Sequence, residues 1–90
     1  MSTLAELKDR FLKDPAVRAA YEEADAEYSV IEAMIRARAE AGLTQAEVAE
    51  RAGTTQSAIA RLEAGRVSPS VATLQKYAAA VGKRLRVDMI

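Results

Sequence analysis

Cysteine and histidine are both absent from this 90-residue chain. Their absence removes disulfides, thiolate chemistry, structural zinc and the usual general base. No glycine-rich phosphate loop, metal-ligand cluster or nucleophile paired with a base stands in their place, so catalysis would have to come from scattered Asp and Glu side chains. An enzyme is not expected, nor is a metal or a cofactor. An apolar signal-peptide core is also lacking, as is any apolar run approaching the ~20 residues that span a bilayer. The expectation is a soluble, cytoplasmic protein, in keeping with a reducing compartment. An excess of one charge is missing too, since 13 Lys and Arg balance 13 Asp and Glu. That balance is uneven along the chain: residues 1–28 hold 4 basic and 7 acidic side chains, and residues 29–90 hold 9 and 6. An acidic segment therefore precedes a basic body, which suggests two surfaces with different partners.

The length suits one domain with a modest core. Glycine and proline are few, and their places punctuate the chain. Gly42, Gly53, Gly65 and Gly82 each stand where a helical pattern stops, while Pro15 and Pro69 stand at or just before a start. Thr3 and Glu6 have capping-box spacing and predict a first helix that buries Leu4, Leu7 and Phe11. Asp14 then caps a helix with Pro15 at its first position. Val17, Tyr21, Ala24, Tyr28, Ile31 and Ile35 follow at alternating steps of four and three. One helix reaching Ala41, about 40 Å long, accommodates that stripe. A break is the preferred alternative, because Asp25 can cap and Ser29 with Glu32 repeats the capping-box spacing.

The most informative stretch is residues 42–65, GLTQAEVAERAGTTQSAIARLEAG. Thr44 and Glu47 form a capping box, and that helix closes at Gly53. Thr55 caps the next helix, which Gly65 closes. Val48, Ala49 and Ala52 face inward on the first helix and Ile59 and Leu62 on the second, while Thr55, Gln56, Ser57, Ala60 and Arg61 face outward. Two short helices joined so tightly make a helix-turn-helix, and the outward set is able to reach base edges or phosphates. After a loop, a helix capped by Ser68 or Ser70 places Val71, Leu74, Ala78 and Val81 on one face with Tyr77 beside them. The period then changes to two: Leu85, Val87 and Met89 alternate with Arg84, Arg86 and Asp88. This reads as a short strand whose unpaired edge seeks a second copy, so a homodimer through Leu85, Val87 and Met89 is expected.

Residues 42–65 resemble the helix-turn-helix of the XRE family, the phage repressor and Cro class, in the GLTQ opening, the AxxAG centre, the TQ at the second helix and the LEAG close. The resemblance implies an all-α fold of five to six helices. A lambda-repressor-like DNA-binding domain would span 29–82, after an N-terminal acidic helical extension at 1–28 and before a C-terminal β-strand at 83–90. It implies an ion pair between Arg38 and Glu63 that orients the recognition helix. It also implies a pseudo-palindromic double-stranded DNA operator, with half-sites about 34 to 36 Å apart for a dimer. Thr44 and Gln45 are expected at a phosphate, with Gln45 also bracing the recognition glutamine. Gln56 is expected on adenine, Ser57 at a base, Arg61 on guanine or phosphate, with Ala60 on the same face. Thr54, Thr55 and Arg66 are expected beside the backbone.

The extension, reading DPAVRAAYEEADAEY before the helix-turn-helix, is similar to that of HigA-type antitoxins. That similarity implies a small basic toxin as partner, a ribonuclease of the RelE or HigB kind, which the antitoxin neutralises while repressing their shared operon. Phe11, Tyr21, Glu22 and Glu23 are the residues expected to meet it. The alternative is a stand-alone XRE-family repressor without a toxin.

Overall fold

A computed structural model describes residues 3, 4, 6 and 13–90, with the side chain of Tyr21 outside the described set. Within that set four helices are bounded: α1 Pro15–Ala41, α2 Gln45–Ala52, α3 Gln56–Glu63 and α4 Val71–Ala80. No strand occurs among the described residues. The molecule measures 50 × 28 × 21 Å, and its long axis reflects α1.

Local chemistry sets the helix ends. The Asp14 carboxylate accepts from the Ala16 amide at 2.9 Å, and Pro15, which has no amide hydrogen to satisfy, opens α1. Thr44 and Glu47 make both bonds of their capping box, and Thr55 and Ser70 each accept from the amide three residues on. Thr3 and Glu6 exchange the same two bonds, each 3.1 Å long. Leu7 and Phe11, expected to be buried by the helix opened there, lie outside the described residues. Gly53 ends α2 at φ 71°, a left-handed conformation in which a side chain would be strained, and this lets the chain reverse into α3 within a few residues.

Helix α1 has no break. The Ser29 hydroxyl donates to the Asp25 carbonyl at 3.0 Å, bonding back along the helix, and Glu32 pairs with Arg36 instead of capping. The expected interruption at 25–29 is therefore wrong, and the fold has fewer helices than five to six within the described residues. An alanine-rich sequence with ion pairs one turn apart sustains a helix that lacks tertiary support. Among the described residues such support is lacking over the first half, where every described side chain from Lys13 to Val30 is exposed.

The core gathers Met34 of α1, Val48 and Ala49 of α2, Ile59 and Leu62 of α3, Tyr77 and Ala80 of α4, and Val81. Ala37, Leu43, Ala52 and Leu74 pack at its edge. Helix α2 lies against α3 and α4, and the second half of α1 closes over α3 and α4. Two residues expected inside are outside: Leu4 is exposed because no described element covers it, and Val71, the first residue of α4, is exposed as well.

The tail is the other correction. Residues 83–90 form no strand, since a strand needs a neighbouring edge for its amide and carbonyl groups and the described chain offers none. Leu85 is half-buried along a groove between α1 and α4, Lys83 reaches Glu40 at 3.1 Å, and Val87 and Met89 stay exposed.

Burial ranks the cost of truncation. Ile59→Ala, at a side chain 2% exposed, should lower unfolding free energy by about 2 to 5 kcal/mol. Tyr28→Ala, on the uncovered half of α1, should change it by less than about 0.5 kcal/mol. Urea denaturation followed by circular dichroism measures both, and equal losses would contradict this division of α1.

Candidate nucleic-acid interface

The outer surface of α3 follows from what its inner surface must do. Ile59 and Leu62 enter the core, and Glu63 is buried beside them with 8% of its surface exposed. Gln56 and Ser57, in the first turn, are thereby turned to solvent, followed one turn later by Arg61. Ala60 is half-buried on the shoulder between the two faces. The Arg61 Nε donates to the Ser57 carbonyl at 3.3 Å, so its guanidinium lies along the helix surface. Thr54 and Thr55 are exposed in the turn before α3, and Arg66 is exposed in the loop after it. The N-terminal end of α3, with its uncovered polar side chains, is open to an approaching duplex.

A buried carboxylate holds this helix in place. Glu63 accepts a forked pair of bonds from Arg38, with Nη2 to Oε1 at 2.8 Å and Nε to Oε2 at 2.9 Å. The Gln45 amide donates to Oε1 at 3.3 Å. The Tyr77 hydroxyl lies 2.8 Å from Oε2 and 2.9 Å from the Met34 carbonyl, and its single proton serves these two acceptors. Arg38 also donates from Nη1 to the Leu43 carbonyl at 3.1 Å, tying down the α1–α2 turn. Side chains from the three other helices thus converge on one carboxylate of α3.

Two of these contacts differ from, or go beyond, the sequence reading. Gln45 is half-buried and donates to Glu63, at the far end of α3 from Gln56; no bond joins Gln45 to Gln56 among the described residues. Tyr77, beside the apolar face of α4, also brings its hydroxyl into the network. The signal available was a single phenol on an otherwise aliphatic helix face, since a buried hydroxyl requires a partner. Thr44 is exposed and spends its side chain on the cap of α2. Of the residues expected at a protein partner, Phe11 and the Tyr21 side chain lie outside the described residues. Glu22 is exposed and paired with Arg18 at 3.1 Å, and Glu23 is exposed without an ion pair among the described residues.

Electrostatics of the cluster are one-sided. Burial alone would raise the Glu63 carboxyl, but the bonds from Arg38, Tyr77 and Gln45 outweigh it and hold the group below its ordinary value. The hydrogen bond to Glu63 raises Arg38 against the effect of burial. Burial, and then the adjacent carboxylate, push the Tyr77 phenol well up. A lowered carboxylate contributes stability that is complete above its unfolded value and is lost as pH falls through its folded value. A raised phenol contributes stability that is complete below its unfolded value and is lost as pH rises beyond it.

Comparison with known proteins agrees with this geometry. A protein-family model described as helix-turn-helix matches residues 34–87. Antitoxin HigA1 of Mycobacterium tuberculosis is 35% identical over 74 residues, which is 82% of this chain and 50% of that protein. The chain therefore spans about half the length of that relative. An uncharacterized HTH-type transcriptional regulator of Methanothermobacter thermautotrophicus is 50% identical over 46 residues, 51% of this chain and 67% of its own. Among solved structures, a chain of a toxin-antitoxin module from Streptococcus pneumoniae superposes with a TM-score of 0.64 at 29% identity, covering 100% of this chain and 94% of that one.

The carboxylate cluster makes stability depend on pH in a stated direction. The thermal midpoint should be level between about pH 5 and pH 9 and fall on either side. Glu63→Gln, which leaves Arg38 without its counter-charge, should cost about 2 to 4 kcal/mol and make the acid limb shallower. Tyr77→Phe should flatten the alkaline limb. Calorimetric melts across the pH range decide, and an acid limb of unchanged slope in Glu63→Gln would show that another carboxylate controls it.

Proposed function

The chain belongs to the helix-turn-helix family, and on that premise we propose that it is a sequence-specific DNA-binding antitoxin, which neutralises a small basic ribonuclease toxin and represses the operon encoding both. The observation that carries the DNA-binding half is the exposed N-terminal end of α3, with Gln56 and Ser57 uncovered while its other end is fixed through Glu63. In this reading Gln56 makes the bidentate contact to adenine, Ser57 meets a neighbouring base, and Arg61 pairs with guanine or a phosphate. Ala60 allows close approach on the same face. The amide groups of the first turn of α2, at Thr44 and Gln45, receive a phosphate, while Thr54, Thr55 and Arg66 hold register along the backbone. The Gln45 side chain acts in the Glu63 network and so positions α3 indirectly.

The antitoxin half rests on the extent of the likeness. The 74 residues aligned with HigA1 exceed the span of the helix-turn-helix match, and the Streptococcus pneumoniae chain superposes over the whole length, extension included. Residues 1–28, acidic in composition and with every described side chain exposed, form the toxin-binding region, with Phe11, Tyr21, Glu22 and Glu23 as contacts. A homodimer joined through the tail residues Leu85, Val87 and Met89 would present two α3 helices to a pseudo-palindromic operator. The exposure of Val87 and Met89 supports that role, since apolar side chains so fully in water gain by being covered.

Two experiments test the two halves. In operator binding by fluorescence anisotropy, Gln56→Ala should lose about 1 to 3 kcal/mol at one base pair and relax the preference there, whereas Arg66→Ala should weaken every sequence and reduce the salt slope by about one. A uniform loss from both would refute the assigned roles. For the second half, the product of the adjacent reading frame should co-purify with this chain and lose its ribonuclease activity in the complex. Removal of residues 1–28 should abolish both effects while operator binding persists. Light scattering of a chain lacking 84–90 completes the set: a persistent dimer would rule out the tail as the interface.

A further inference from the structure

A groove of about 240 Å³ lies where α1 passes the loop that follows α3. Val30, Ile31, Val67, Pro69 and Leu74 form its apolar walls, and Glu27 stands at its rim. Glu23 precedes Glu27 by one turn and so lies on the same row of α1, continuing the acidic rim away from the core. Neither carboxylate has an ion-pair partner among the described residues, in contrast to Glu22 with Arg18 and Glu32 with Arg36. Val30 is 36% exposed and Val67 48%, so the walls are incompletely covered by the chain itself.

A second copy does not match this surface. Another α1 would bring the same unpaired carboxylates into contact, and the cationic apolar segment of this chain, residues 83–88, already lines a different groove, with Lys83 on Glu40 and Leu85 half-buried. An apolar floor with a rim of free carboxylates is complementary to an amphipathic segment that carries Arg or Lys beside an aliphatic or aromatic anchor. We propose that this groove is the docking site for such a cationic segment of the partner protein, with Glu23 and Glu27 pairing its basic side chains and Val30 and Val67 covering its anchor. This rests on the antitoxin reading and deepens it, because it moves the contact from the extension alone to the junction of α1 with the loop that ends the recognition helix. Partner binding would then reach Val67, next to Arg66, and would bear on the DNA-facing edge of the domain.

The test uses the full chain and the product of the adjacent reading frame, with affinity measured by calorimetry at two salt concentrations. All substituted side chains are exposed, so circular dichroism and operator binding by the free chain should be unchanged. The double variant Glu23→Lys, Glu27→Lys should weaken the complex by about tenfold or more and reduce its salt dependence, and Val67→Ser should weaken it several-fold with salt dependence retained. Glu22→Lys, at a carboxylate already paired within α1, should have the smaller effect. A complex that forms with wild-type affinity in both the double variant and Val67→Ser would overturn the groove while leaving the antitoxin reading intact. Absence of any complex with the unaltered chain would overturn both.

Discussion

The Glu63 carboxylate is the constraint on which the arrangement depends. It is buried, it belongs to α3, and it receives donors from α1, α2 and α4. A buried ion pair is weak evidence of net stability, because desolvation of the charges offsets much of their attraction. Its directional content is another matter. A forked guanidinium bond fixes the plane of the carboxylate, and the phenol and amide fix the two oxygens from other sides. An apolar core with few side chains, several of them alanine, tolerates sliding and rotation of short helices; this cluster does not. The orientation in which Gln56 and Ser57 are presented is thus set from the opposite end of α3, where Glu63 lies two residues beyond Arg61.

Helix α1 joins two regions with different physical needs. Its second half joins the core through Met34 and Ala37 and the carboxylate cluster through Arg38, whereas every described side chain of its first half is exposed. What keeps the first half helical is local: a good N-cap, proline at the first position, many alanines and the Arg18–Glu22 ion pair one turn apart. An isolated helix held in that way is marginal in water, and a bound partner that covers it would add the stability the chain does not supply. The same continuous helix carries Arg38, so its exposed half and the carboxylate that orients α3 are joined by one unbroken element.

The uneven charge of the sequence has a spatial counterpart. Glu23, Asp25 and Glu27 lie on the uncovered part of α1, while Arg61, Arg66 and Lys76 lie on or near the helix-turn-helix. Zero net charge therefore conceals an uneven distribution along the chain, 4 basic and 7 acidic side chains in residues 1–28 against 9 and 6 in residues 29–90.

What the sequence determined by itself was local. The caps at Asp14, Thr44 and Thr55, the left-handed glycines that close α1 and α2, and the helix-turn-helix spacing could be read because each depends on residues within one or two turns of each other. The inward positions Val48, Ala49, Ile59 and Leu62 were legible for the same reason, as periodicity within short helices. Where neighbours in space decide, the reading failed or stopped short. Ser29 with Glu32 has the spacing of a cap, yet inside a helix that is already propagating the hydroxyl bonds back to Asp25 instead. Leu85, Val87 and Met89 alternate like a strand, but no strand forms without an edge to pair with. Leu4 and Val71 are apolar at helical spacing but have nothing described above them. The pairing of Arg38 with Glu63, 25 positions apart, is implied by the family resemblance and not by any local pattern, while the convergence of Gln45 and Tyr77 on the same carboxylate, from 18 and 14 positions away, has no local signal either. Only the tertiary structure decides such contacts, because a buried carboxylate takes whatever donors the folded helices bring within hydrogen-bond reach.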